Sequence, residues 1–182
     1  MNPNDMELLL LPITEGLCEY VKGDRFIHTK GVQGMPNDRR RASRILSLFT
    51  TLASGQTVTD PQCGYTATKC EVLREWNWSK SWKGYGYPNF WLIHLSRLGF
   101  RIAHIPVESI YGTQSSGIRR LPFFIKVGSM LAMEHHKRNF SWLLSHRITP
   151  HTIFAAIAYG IGWAALLPGI STDIERELVR RG

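Results

Sequence analysis

Between Thr152 and Ile170 the chain reads "TIFAAIAYGIGWAALLPGI", 19 residues without one charged side chain. A helix that spans a bilayer takes about 20 apolar residues. The run is therefore read either as a spanning segment or as a buried hairpin or re-entrant element whose backbone is satisfied by neighbouring protein. It is rich in Ala and Gly, and Pro168 is expected to limit its end. Just upstream, "LPFFIKVGSMLAMEHHKRNFSWLL" mixes large apolar groups with Lys126, His135, His136, Lys137 and Arg138. That mixture reads as a helix lying in a membrane interface. The plain alternative is an amphipathic helix packed on the domain. Basic residues flank the uncharged run on both sides, and the denser upstream cluster favours a cytoplasmic position for that side.

The rest of the chain alternates helix and strand patterns, which argues an α/β domain. Residues Asp5 to Thr14 form a short helix whose apolar side is Leu8, Leu9, Leu10, Leu11 and Ile13, with Asn4 or Asp5 as its cap and Gly16 as its break. "CEYVKGDRF" reads as a strand leading into a polar turn at Gly23-Asp24. A loop with Gly31, Gly34 and Pro36 precedes the helix "NDRRRASRILSLFTTLASG", whose apolar positions are Ile45, Leu46, Leu48, Phe49 and Leu52 and whose stop is Gly55. Thr57 to Thr59 is a short β-prone piece entering "DPQCGY", and a helix follows over Lys69 to Trp76. "WNWSKSWKGYGYPNFW" is mostly loop, "FWLIHLSRLGF" is a helix ended by Gly99, and "RIAHIPVESIY" alternates as a strand. No internal repeat is visible.

A chain of 182 residues suffices for one domain with a core. Its 22 Lys and Arg outnumber 14 Asp and Glu, a surplus that attracts phosphate on nucleic acid, lipid or nucleotide. The basic helix start at Arg39, Arg40, Arg41 and Arg44 is notable because cations at a helix N-terminus oppose its dipole, which favours an anionic partner over a merely solvated surface. Arg39 and Ser43 are four apart and share a helix face. Cys18, Cys63 and Cys70 have no CxxC or zinc spacing and read as free thiols in a reducing compartment. The histidines show no metal spacing, and the adjacent pair His135-His136 points in two directions. The start "MNPNDMELLLLP" is acidic and too short in its apolar part for a secretory leader. Trp76, Trp78, Trp82, Tyr85, Tyr87 and Trp91 form either a sugar-stacking or interfacial surface or a packed core. Taken alone, "DPQCGY" is an Asp-Pro turn between a strand and a helix, capped by its own side chain.

Four stretches, "MNPNDMELLLLPITEGLCEYVKGDRF", "SGQTVTDPQCGYTA", "YGYPNFWLIHLSRLGFRIAHIPV" and "YGTQSSGIRR", occur together in order. Over residues 1 to 120 they resemble the second half of a family 2 glycosyltransferase of the polyprenyl-phosphate type, similar to dolichyl-phosphate mannose synthases and bacterial undecaprenyl-phosphate sugar transferases. The resemblance implies a partial GT-A, Rossmann-like fold in residues 1–120, the acceptor half, and a membrane-associated helical tail in residues 121–182. It implies transfer of a sugar from a nucleotide sugar to a polyprenyl phosphate on the cytoplasmic face of a membrane. In that family Mg2+ or Mn2+ neutralises the leaving diphosphate, held by acids in the first half. This chain resembles a member without that half, so the metal ligands are expected to be missing from it and a further chain is a candidate to supply them.

The resemblance also assigns residues. Arg25 matches a glycine-x-arginine phosphate binder, for which an Arg fork is suited. Arg39 and Ser43 match the residues that hold the lipid phosphate. "DPQCGY" resembles the start of the acceptor loop: Asp60 aimed into the active site as the catalytic carboxylate, Pro61 stiffening the turn, Gln62 offering an amide, and Gly64 letting the backbone pass close to a ligand. Ser115 to Arg119 match the junction with the membrane helices, with Arg119 and Arg120 at the headgroup level. One departure stands out. The family carries an acid after its "GYPN" element, and Phe90 stands at that position, where a phenyl ring cannot take a proton; Asn89 beside it hydrogen-bonds but is no base. Whether the chain is itself an enzyme is therefore open. The alternative is a non-catalytic membrane-surface module that binds lipid phosphate or a partner chain. A nucleic-acid binder has only the net charge in its favour.

Overall fold

The computed structural model describes residues 3–109, 120–145 and 148–181, with residues 166–181 described as backbone only. Ser115 to Arg119 lie outside the described residues. Two compact units divide after Arg138, Met1–Arg138 and Asn139–Gly182.

The first unit is built on β1 (Tyr20–Asp24), buried along its whole length. It pairs antiparallel with β2 (Thr66–Thr68) and parallel with β3 (Ile102–Pro106), giving the order β2-β1-β3. Side chains alternate across a strand, so β1 faces two layers. Val21 packs with Leu9 and Cys18, the layer of helix α1 (Met6–Thr14). Tyr20 packs with Val72 of α3 (Cys70–Glu75) and with Trp91, Leu92 and Leu95 of α4 (Tyr87–Arg97). A further layer covers α4: Phe90 and Ile93 meet Leu46 and Ala53 of α2 (Asn37–Ser54) and Val127, Met130 and Leu131 of α5 (Arg120–Ser145). The structure is thus a mixed helix and sheet fold with a small sheet.

The strand and helix order follows the sequence pattern, with corrections. Gly23 and Asp24 belong to β1 and make no turn, because both still pair with β3. Thr57 to Thr59 is irregular; the strand lies later, at Thr66–Thr68. In α1 only Leu9 is fully buried, while Leu8, Leu10 and Leu11 face outward. In α2 the expected apolar face is turned outward: Ile45, Leu48, Phe49 and Leu52 are 51%, 58%, 47% and 44% exposed. The helix instead buries Ser43, Leu46, Thr50, Ala53 and Ser54, and on that face Thr50 accepts a hydrogen bond from Asn89 of α4. Gly55 ends α2 in the left-handed region at φ 78°, as expected of a C-terminal glycine.

Up to Arg138, α5 is the packed amphipathic helix of the plain alternative. Val127, Met130, Leu131 and Glu134 recur at helical spacing and are buried. Arg138 and His135 both reach the Leu52 carbonyl, Arg138 Nη1 donating at 2.9 Å, and so close the C-terminal end of α2. The aromatic tract divides: Trp91 is buried between Trp78 and Tyr87, stacked at 5.7 and 6.1 Å, while Trp78 and Tyr85 are exposed.

In the second unit, α6 (Pro150–Arg181) is one continuous helix of 32 residues. Pro168 does not end it and there is no hairpin. Tyr159 packs edge-on against Phe140 and Trp163 at 6.2 and 6.4 Å. Among the described residues no helix is long and apolar enough to cross a membrane; the side chains of residues 166–170, the end of the uncharged run, are not among those described.

Candidate functional site

One face of the sheet changes character along its length. Tyr20, Lys22 and Asp24 share it by the two-residue period of a strand, and β3 runs beside them in register, Ile102 next to Tyr20 and His104 next to Lys22. Tyr20 and Ile102 belong to the apolar core. Lys22 and Asp24 are also fully buried but ionisable. The change falls at the carboxyl end of the parallel pair, where open α/β sheets hold their ligands.

The Asp60–Tyr65 loop lies over this end. Lys22 Nζ donates to the Cys63 carbonyl, and the Thr59 hydroxyl donates to Asp24 Oδ2. Asp24 also accepts from the Phe26 backbone N at 2.8 Å. Arg25, the next residue after the strand, donates to Asp60 from its backbone N at 3.0 Å, from Nε at 2.6 Å and from Nη2 at 2.7 Å. Two cations and two carboxylates are thus buried together, which is how such charges are tolerated away from water. Two glycines make room for the arrangement. A Cβ on Gly31 would lie 2.4 Å from the Arg25 carbonyl oxygen, and one on Gly23 would lie 2.9 Å from Val107 Cγ2.

Burial pulls the Lys22 ammonium down to about 8, against the carboxylates of Asp60 and Asp24, which favour its charge. Burial pushes the Cys63 thiol up, opposed by Lys22. His104 is also pulled down by burial, against Asp24. Its Nδ1 is buried without a hydrogen bond, 4.0 Å from Asp24 Oδ2.

A second polar chain leaves the same loop. Gln62 Nε2 donates to Asn89 Oδ1, Asn89 Nδ2 donates to Thr50 Oγ1 at 2.7 Å, and Thr50 donates to the Leu46 carbonyl at 2.7 Å. Asn89 is fully buried. Phe90, the position expected to replace an acid, packs instead with Leu46, Ile93 and Val127 in the core. The side chain that meets the loop is therefore one residue earlier, at Asn89, because successive helix positions point about 100° apart.

Of the residues singled out from the sequence, Arg25, Asp60 and Gln62 come together. Gly64 is exposed, and a Cβ there would meet nothing within 4 Å. Arg39 is exposed on the first turn of α2, whereas Ser43, one turn on, is buried. Arg119 lies outside the described residues. Lys22, Asp24, His104 and Asn89 were not singled out as site residues. A lysine inside an otherwise apolar strand, "YVKGD", and a histidine at the matching place of "RIAHIPV" are the signals that could have found two of them.

The donor set does not fit a divalent ion. Among the described residues no group of three or more His, Cys, Asp or Glu side chains could hold a metal, and Asp24 and Asp60 are already engaged by Thr59, the Phe26 amide and Arg25.

No protein-family model matches the chain, and no solved structure matches it. It is similar to the UDP-N-acetylglucosamine--dolichyl-phosphate N-acetylglucosaminyltransferase of Methanococcus voltae, 29% identical over 109 residues, which are 60% of this chain and 43% of that protein. The match thus spans less than half the length of that curated relative. It supports a relationship to a glycosyltransferase over part of the chain.

Proposed function

We propose that the chain is the acceptor side of a family 2, GT-A glycosyltransferase that works on a membrane surface and moves a sugar from a nucleotide sugar to a polyprenyl phosphate. The observation that carries this reading is the orientation of α2. The helix buries its small polar side and presents Ile45, Leu48, Phe49 and Leu52 outward, just after the exposed residues Arg39, Arg41 and Arg44. An apolar stripe headed by arginines suits a helix half-sunk among anionic headgroups. The name of the Methanococcus voltae relative supplies the acceptor class, a dolichyl phosphate.

In this reading Arg39 meets the lipid phosphate first, since it is exposed. Arg25 is already engaged by Asp60, so a phosphate reaches it by displacing that carboxylate, which is then released toward the acceptor. The nucleotide and the Mg2+ or Mn2+ expected for this class are assigned to a separate donor-binding part, and no step here runs through a metal. Arg119 is assigned to the headgroup level, and the chain to the cytoplasmic face.

The engaged state of Asp60 favours a second reading, a module that binds lipid phosphate without transferring sugar. One experiment separates the two. The full chain is floated with vesicles carrying polyprenyl phosphate or the uncharged polyprenol, then given labelled UDP-N-acetylglucosamine together with Mg2+ and a membrane extract that supplies the donor-binding part. Flotation that needs the phosphate and is lost in Leu48→Glu, with label entering the lipid, supports the lead reading. Flotation without label leaves the second. Flotation equal in Leu48→Glu, or none at all, overturns both.

A further inference from the structure

We propose that Asn89 is a positioning residue that ties the Asp60–Tyr65 loop to α2, so that docking of α2 on a surface is transmitted to the loop. The transmitted signal rests on the lipid-surface reading above; the tie itself does not. The argument starts from direction. Thr50 lies inside α2 and its hydroxyl proton is engaged by the Leu46 carbonyl, so toward α4 its oxygen can only accept. Gln62 presents its amide nitrogen and donates. The residue between them must donate one way and accept the other.

Among side chains of this length only an amide does both. Aspartate would set an oxygen against the Thr50 oxygen and bury a charge. Alanine would leave Thr50 and Gln62 unpaired in a dry site. Asn89 is held rigidly for the task, since Phe90 and Trp91 on either side of the same turn are core residues. The loop it steadies carries Asp60, and the helix it grips carries Arg39 and the outward apolar stripe.

The cysteines of the chain supply the test. Cys63 is buried in the loop and Cys18 is buried on the opposite side of the sheet beside Leu9, while Cys70 is exposed. Thiol labelling of the full chain, resolved by site, therefore reads loop opening at Cys63 and opening of the whole unit at Cys18. In Asn89→Ala, Cys63 is expected to label about tenfold faster, the effect of one lost buried hydrogen bond, with Cys18 unchanged. An unchanged Cys63 in this variant, or an equal rise at Cys18, overturns the proposal. Thr50→Val and Gln62→Ala cover the case in which Asn89 variants do not fold: the double variant is expected to label no faster than Gln62→Ala alone, and additive effects overturn the chain. With polyprenyl-phosphate vesicles, Cys63 of the unaltered protein is expected to slow further, and that response is lost in Asn89→Ala even though it still floats. Flotation without a Cys63 response overturns transmission. Absence of flotation overturns the lipid reading instead, while the contrast between Cys63 and Cys18 still decides the tie.

Discussion

Asp60 is held by Arg25 through backbone and guanidinium together, Oδ2 accepting from N at 3.0 Å and Nε at 2.6 Å and Oδ1 from Nη2 at 2.7 Å. Both side chains are almost wholly buried. Removing one partner leaves a buried charge alone, which costs about 3–5 kcal/mol. Arg25→Ala and Asp60→Ala are each expected to lower stability by that order in urea unfolding. Arg25→Met with Asp60→Leu is expected to recover most of it, since apolar replacement of both members of a buried pair is often neutral. That double variant is a clean probe of function: it keeps the fold and loses the exchange of carboxylate for phosphate. A loss below about 1 kcal/mol in Arg25→Ala would show that the pair does not pin the loop.

The orientation of α2 makes a paired prediction. Leu46 is buried against Phe90 and Ile93, so Leu46→Ala is expected to cost about 2–5 kcal/mol. Leu48, two residues away, is 58% exposed, and Leu48→Ala is expected to stay within about 0.5 kcal/mol. Equal losses in the two variants would mean that the helix is rotated from the position described. The comparison needs only chemical unfolding of the two single variants and is independent of any lipid.

The same helix shows what was legible in the sequence. Its extent was clear, because Gly55 and the apolar spacing mark it, but its inner face was not. Leu, Ile and Phe at helical spacing look the same whether they face a core or an outer surface. What decided the matter was non-local: Asn89 offers Thr50 a hydrogen bond across 39 positions of sequence. The site divides in the same way. Arg25, Asp60 and Gln62 were picked out by the family resemblance, but that Arg25 and Asp60 pair with each other depends on β1 ending beside the loop. Lys22 and His104 each stand out within their own strand, but only the parallel register brings them side by side.

Two histidines are expected to contribute to the acid limb of stability. Burial lowers His94, against the charge of Glu134 and with the help of Arg97 and Lys137. Burial lowers His104, against Asp24 and Asp60 and with the help of Lys22. A histidine whose folded value is depressed binds its proton first in the unfolded chain. Its contribution is therefore present above the ordinary value of about 6.5 and is lost as pH falls toward the folded value. The urea midpoint is expected to drop between pH 7.5 and 5.5. Replacing both residues by Gln, which leaves polar groups where His94 Nε2 and His104 Nδ1 are buried without hydrogen bonds, is expected to flatten that drop. A midpoint as steep with pH in the double variant as in the original would assign the acid limb to other groups.

Glu134 is the buried charge on the inward face of α5, four residues past Met130 and three past Leu131. Burial alone would raise its carboxyl, but the hydrogen bond from Lys137 and the charges of Arg97, Lys137 and His94 bring it below the usual carboxylate range. Lys137 Nζ lies 2.9 Å from Oε1, and Arg97 of α4 donates both to Oε2 and to the Glu134 backbone carbonyl. One carboxylate thus fastens α5 to α4 beside the apolar contact of Met130 and Ile93. Arg97 and Lys137 are partly exposed, so water moderates the loss, and Glu134→Ala is expected to cost about 1–3 kcal/mol. Glu134→Gln keeps the shape and one acceptor and is expected to cost less than Glu134→Ala. The carboxylate contribution is present above the ordinary Glu value and lost as pH falls through the depressed one. The gap between Glu134→Gln and the original protein should therefore close in acid, and a gap that stays constant from pH 7 to pH 3 would mean that packing, not charge, holds the two helices together.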